Sequence, residues 1–99
     1  MRLSELQKTS IKQHARDIFG EDAQVMVFGS RLNDATKGGD LDLLIVTNHN
    51  VPHPAMQAAR LATRISRMMS GRKVDVLIDS PTLQQQPIHQ IARQTGVAL

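Results

Sequence analysis

Phe28 to Val46 reads FGSRLNDATKGGDLDLLIV: the end of one apolar run, a Gly-Ser pair, a polar loop, and a second apolar run with acids at its mouth. Aspartate is depleted in strands, yet Asp40 and Asp42 open the run LDLLIV two residues apart, which puts them on one face of a strand. At a spacing of about 6.5 to 7 Å two ionised carboxylates repel by roughly 2.5 kcal/mol at an effective dielectric of 20, so a positive partner has to offset them. Gly29 and Ser30 close the first run in a tight turn, where backbone N–H groups and a hydroxyl can hold a phosphate oxygen. Turns use Gly-Ser constantly, so the pair gains meaning only from the acids downstream of it.

Outward from this stretch the elements alternate. QVMVF, Gln24 to Phe28, is short, apolar and rich in β-branched residues, which predicts a buried strand ending at Gly29. LDLLIV, Leu41 to Val46, and VDVLI, Val74 to Ile78, predict two more strands. Upstream, Ser4 and Gln7 form a capping-box pair, Ile11, Ala15 and Ile18 share one face, and Gly20 offers a left-handed stop, predicting a helix over 5–19. Pro52 and Pro54 introduce a second helix over 55–69, with Leu61, Ile65, Met68 and Met69 on one side. A short helix around 88–95 presents Ile88, Ile91 and Ala92 before Gly96.

Asp75 stands in the third strand as Asp42 stands in the second. If the two strands are neighbours and Asp75 shares the face of Asp40 and Asp42, three acids make a set of oxygen ligands for a hard cation. Mg²⁺ takes one or two carboxylates and completes its octahedron with water and phosphate oxygens, which suits an Asp-x-Asp pair open to a nucleotide. The competing reading places each aspartate at a strand end facing solvent. A calcium loop is excluded because Leu44 and Ile45 stand where that loop needs a ligand and its glycine, and no Walker loop or G-x-G-x-x-G is present.

Gly29-Ser30, nine residues, then Asp40-Leu41-Asp42, with Asp75 in a later strand, resembles the DNA polymerase β nucleotidyltransferase superfamily. More narrowly, the chain is similar to the minimal nucleotidyltransferases, commonly paired in bacteria with a HEPN-domain protein as toxin and antitoxin. The likeness extends to the leading helix, the wording GGDLDLLI and VDVLI, and the ending PIHQIARQTGVAL. It implies an α/β (α+β) nucleotidyltransferase fold, a small mixed sheet of three to four strands packed by two to three helices. It also implies that Gly29 and Ser30 hold the triphosphate with Arg31 beside them, that Asp40 and Asp42 bind two Mg²⁺ ions, and that Asp75 serves one metal and the acceptor hydroxyl. Many relatives carry a second Arg and a Gly after Gly-Ser-Arg; here Leu32, Asn33 and Asp34 stand in that place, leaving Lys37 as the other loop cation. The implied activity is that of an Mg-dependent nucleotidyltransferase, a protein adenylyltransferase that moves AMP from ATP to a hydroxyl of a HEPN toxin and acts as its antitoxin.

Composition bounds the alternatives. Ninety-nine residues, 40% of them hydrophobic and 21% charged, fit one globular domain, 1–99, without room for a separate acceptor lobe. The acceptor is therefore expected on another macromolecule rather than on a small molecule. Cysteine is absent, which excludes disulfides and zinc-thiolate sites and agrees with a cytoplasmic location. Apolar runs fall far short of the roughly 20 residues a membrane helix needs. The net charge of +3 is modest and the only aromatics are Phe19 and Phe28, so direct nucleic-acid binding is not expected. His49 and His53 flank Pro52 and read as loop residues, and His14 and His89 have no companion ligand. Arg60, Arg64 and Arg67 share one side of the second helix, either a solvated face or a surface for an acidic partner. That surface, or the apolar C-terminal segment, would serve the alternative function, a non-catalytic antitoxin that neutralises its partner by occlusion.

Overall fold

A computed structural model describes residues 3–28, 41–81, 83 and 86–99 of the chain. Helix α1, Glu5–Phe19, begins with the expected capping box: the Gln7 backbone N–H donates to the Ser4 hydroxyl at 3.1 Å and the Ser4 N–H donates to Gln7 Oε1 at 2.9 Å. Ile11, Ala15 and Phe19 form its buried stripe, with Ile18 packed at the margin. It ends at Gly20, whose φ of 107° is positive as expected, but whose ψ of 165° swings the chain outward instead of continuing a left-handed turn.

Strands β1, Gln24–Phe28, and β2, Leu41–Val46, pair antiparallel, with Val27 opposite Leu43 and Phe28 opposite Asp42. Helix α2, Pro54–Met68, then leads to β3, Val74–Asp79, which lies parallel to β2. Helix α3, Pro87–Thr95, crosses back, and β4, Val97–Ala98, adds to the far side of β1. The sheet order is β3-β2-β1-β4.

The two-residue periodicity of the strands decides what each face carries. Val25 and Val27, Leu41, Leu43 and Ile45, and Val74 and Ile78 meet Leu61 and Ile65 of α2 and the stripe of α1 in the main core. Leu41, Leu43, Ile45, Leu61 and Ile65 are fully buried, each contributing about 1.5 to 3 kcal/mol by its removal from water. The opposite face is thinner. There Phe28, Leu44 and Ala92 of α3 form a second cluster, edged by Met26, Val46 and Leu77.

Element boundaries shift slightly from expectation. Helix α2 takes in Pro54, because proline at the first helical position loses no hydrogen bond, and α3 starts at Pro87 for the same reason. Ser70 and Gly71, at φ 62° and 82°, end α2 with the Gly71 N–H donating to the Ser66 carbonyl. Strand β3 extends one residue to Asp79. Strand β4 is too short for any sequence pattern; the edge of β1 holds it, and the Leu99 N–H donates to the Val25 carbonyl. Among the described residues no helix is long and apolar enough to cross a membrane.

Candidate active site

The parallel register of β2 and β3 places Asp42 directly opposite Asp75, and β1 completes the row with Phe28. Alternation from the buried Leu41, Leu43, Val74 and Ile78 turns both aspartates to the face that α3 partly covers. Asp42 is half-buried and Asp75 exposed. Neighbouring strands lie about 4.8 Å apart, so the two ionised carboxylates repel by between about 1 kcal/mol in water and about 3.5 kcal/mol at an effective dielectric of 20. A divalent cation between or beside them removes that penalty. The donor set is all carboxylate oxygen, the chemistry that suits a hard ion such as Mg²⁺.

The structure thus brings together two of the three acids singled out in the sequence. Asp40 lies outside the described residues, as do Gly29, Ser30, Arg31 and Lys37. Among the described residues no group of three acidic or histidine side chains converges as a metal site.

The next row up the same face is Met26, Leu44 and Leu77, and the row beyond is Gln24, Val46 and Asp79. Helix α3 crosses over the middle row. His89 and Ala92 face the sheet and are buried. The Gln86 N–H donates to His89 Nδ1 at 3.0 Å, so that nitrogen is the acceptor and Nε2 carries the proton, which it donates to the Ile78 carbonyl at 2.9 Å. His89 therefore caps its own helix and fixes α3 to the top of β3.

Arg93 makes the second tie. Its Nε and a terminal nitrogen both donate to Asp79 Oδ2, whose side chain is only 5% exposed. Sequence reasoning misses this pair. Asp79 stands four residues beyond Asp75 and so shares its face, which is the available signal; nothing local marks Arg93 as its partner. His89, without a companion ligand in the sequence, has a positional role here.

Other polar groups lie away from this face. The Asn48 N–H donates to Asp22 Oδ2 at 2.8 Å and His49 Nδ1 stands 3.0 Å from the same oxygen, which together hold the Asp22 carboxyl below its ordinary range, the Asn48 bond being the larger cause. His53 occupies the N-cap position of α2. Arg60, Arg64 and Arg67 are exposed on the outer face of α2 with Met56, and Arg64 lies 3.9 Å from Asp17.

Residues 8–94 match the family described as nucleotidyltransferase domain. No curated protein matches the chain. Among solved structures, the chain is similar to that of the tri-AMPylated Shewanella oneidensis HEPN toxin in complex with MNT antitoxin, at 15% identity and a TM-score of 0.68, covering 97% of this chain and 71% of that one. It is also similar to a mutant of the toxin–antitoxin MntA–HpeT, at 16% identity and a TM-score of 0.68 over 93% of this chain and 69% of that one. For the toxin–antitoxin MntA–HepT the values are 16% and 0.67, over 96% and 70%. At these identities the likenesses establish a shared fold.

Proposed function

The chain belongs to the nucleotidyltransferase domain family, and from that premise we propose that it is an Mg²⁺-dependent protein adenylyltransferase that moves AMP from ATP to a hydroxyl of a HEPN-domain partner, and thereby acts as an antitoxin. The observation that carries this reading is the register of Asp42 with Asp75, two carboxylates side by side on a face left partly open beyond α3. The similar solved structures supply the partner class, since they are complexes of HEPN toxin and MNT antitoxin, one with its toxin tri-AMPylated.

Nucleotidyl transfer asks the protein mainly to position and to neutralise. In this proposal Asp42 and Asp75, with Asp40, hold the cations, while Gly29, Ser30 and Arg31 hold the triphosphate. Bound Mg²⁺ supplies charge neutralisation at the phosphates and at the attacking oxygen. The acceptor oxygen bonds to the α-phosphorus, the bond to the bridging oxygen breaks, pyrophosphate leaves, and the hydroxyl proton passes to solvent. Asp75, the more exposed of the two, stands on the side open to an incoming hydroxyl, and Asp42 anchors the inner side.

The test is incubation of the chain with ATP labelled at the α-phosphate, Mg²⁺ and the HEPN-domain protein of the same genome. The partner should acquire label, and Asp42→Asn or Asp75→Asn should lower the rate by on the order of a hundredfold while the thermal unfolding curve is retained. Unlabelled partner, or equal label from the Asp42→Asn chain, refutes the proposal. Protection of cells by that inactive variant would point instead to the occlusion mode.

A further inference from the structure

We propose that the free edge of β3 receives the acceptor: an extended segment of the partner protein adds to the sheet as a further strand beside Val74 and Val76, which sets its hydroxyl residue opposite Asp75. This rests on the nucleotidyl-transfer reading and adds to it how the acceptor is presented.

Strand β3 ends the sheet order, with β2 on one side and, among the described residues, no strand on the other. The backbone groups of successive strand residues turn to alternate sides. The Leu41 N–H donates to the Lys73 carbonyl at 2.9 Å and the Thr47 N–H to the Asp79 carbonyl at 3.0 Å, so the odd-numbered residues of β3 bond toward β2. Val74, Val76 and Ile78 therefore turn their N–H and C=O groups outward. His89 agrees with this direction, since its Nε2 reaches the Ile78 carbonyl from α3 at 2.9 Å. That bond occupies the edge at Ile78 and leaves Val74 and Val76 as its open part.

The register with β2 is continuous from Val74 to Asp79, and the strand contains no proline, so neither a bulge nor a missing donor blunts this edge. Outward amides and carbonyls at a two-residue spacing are ligands for another extended backbone. Along the edge from Val76 a cleft of about 340 Å³ opens between the small Ala55 and Ala58 of α2 and the side chains of Leu83 and His89. It seats an apolar side chain further along the added strand. Asp75 decides which segment this strand is. In either direction of pairing, the residue directly opposite Asp75 lies about 4.5 to 5 Å away with its side chain on the same face, so a hydroxyl there stands beside the exposed carboxylate. Two copies joined edge to edge would instead bring a second pair of Asp42 and Asp75 carboxylates to the first, which their charge opposes.

The test is amide hydrogen exchange of the intact chain, read residue by residue by NMR, alone and with the HEPN-domain protein of the same genome. The Val74 and Val76 amides should exchange at least about tenfold more slowly in the complex. A second measurement uses Val76→Pro, which removes an outward N–H and no bond to β2, with Val76→Ala as the control that keeps the N–H. The proline variant should show about a tenfold higher KM for the HEPN protein at unchanged Mg-ATP Kd, and the alanine variant a near-parental KM. Should Val76→Pro lose cooperative unfolding, exchange in the intact chain decides. AMP transfer with exchange at Val74 and Val76 unaltered overturns the inference and leaves the transfer reading intact, and so does an equal rise in KM for both variants. Protection that grows with the concentration of the chain alone overturns it too, identifying the edge as a contact between two copies. Protection by a HEPN protein that acquires no AMP overturns the transfer reading, and with it the placing of an acceptor at this edge.

Discussion

Arg93→Ala should unlock α3 from the sheet. The Asp79 side chain is 5% exposed and the Arg93 side chain 53%, and both donated bonds fall on the same Asp79 oxygen. Removing one partner of a fully buried ion pair destabilises by about 3 to 5 kcal/mol, because the other charge is left in a poor solvent. Here the cation is half in water, which weakens the attraction, and Asp79 also takes part in a further interaction. The expected loss is therefore about 2 kcal/mol. For a chain of this length each 1 kcal/mol moves the melting midpoint by about 4 to 8 °C, so the variant should melt about 8 to 15 °C lower. Urea unfolding followed by circular dichroism reads the free energy directly, and Arg93→Lys should fall between the two, keeping the charge and losing the planar fork. A stability of Arg93→Ala within about 0.5 kcal/mol of the parent would refute the reasoning, placing the pair among surface contacts of negligible effect. The His89 bond to the Ile78 carbonyl is left to tie α3 to β3.

Leu61 is fully buried between α2 and the sheet, so Leu61→Ala should lower stability by about 2 to 5 kcal/mol through lost burial and the cavity left behind, measured by the same urea titration; a loss under about 1 kcal/mol would contradict the packing. Asp22 supplies a pH dependence. Its folded carboxyl titrates below the ordinary aspartate value of 3.8, chiefly because the Asn48 N–H donates to the ionised form, with His49 adding to the effect. The folded state thus binds the proton less readily than the unfolded chain, and the stabilisation is full above the unfolded value and lost as pH falls through the folded one. The stability gap between the parent and Asp22→Ala should narrow as pH falls below about 4. Curves that run parallel down to about pH 2 would show that the contact does not favour the carboxylate.

Much of the secondary structure is legible because its signals are local. The Ser4–Gln7 pair marks the start of α1, and the apolar runs ending at Phe28 and Val46 mark β1 and the end of β2. Pro52 and Pro54 mark the entry of α2, and the expected starts of α2 and α3 lie within one residue of those observed. Strand β4 carries no such signal. Two residues cannot show a period, and Val97 and Ala98 become a strand only because β1 presents free backbone groups at its edge. Gly96 belongs to the same junction: a Cβ there would press on the Ala92 carbonyl oxygen and come within 3.1 Å of the Met26 side chain, the second approach invisible until helix and strand are both placed.

The candidate site divides in the same way. Spacing alone puts Asp42 at the mouth of β2 and Asp75 early in β3, since alternation along a strand is a property of the backbone. Whether those strands are neighbours, and whether one residue of slip turns Asp75 to the other face, depends on how Leu43, Ile45, Val74 and Ile78 pack against α1 and α2. The tertiary structure also decides that α3 lies on the carboxylate face and that Arg93 reaches Asp79 fourteen residues earlier. Short-range order is written in caps, periods and breakers along a few residues. Register, layering and the pairing of a buried acid with a distant base arise only when burial of the whole core selects one arrangement of those pieces.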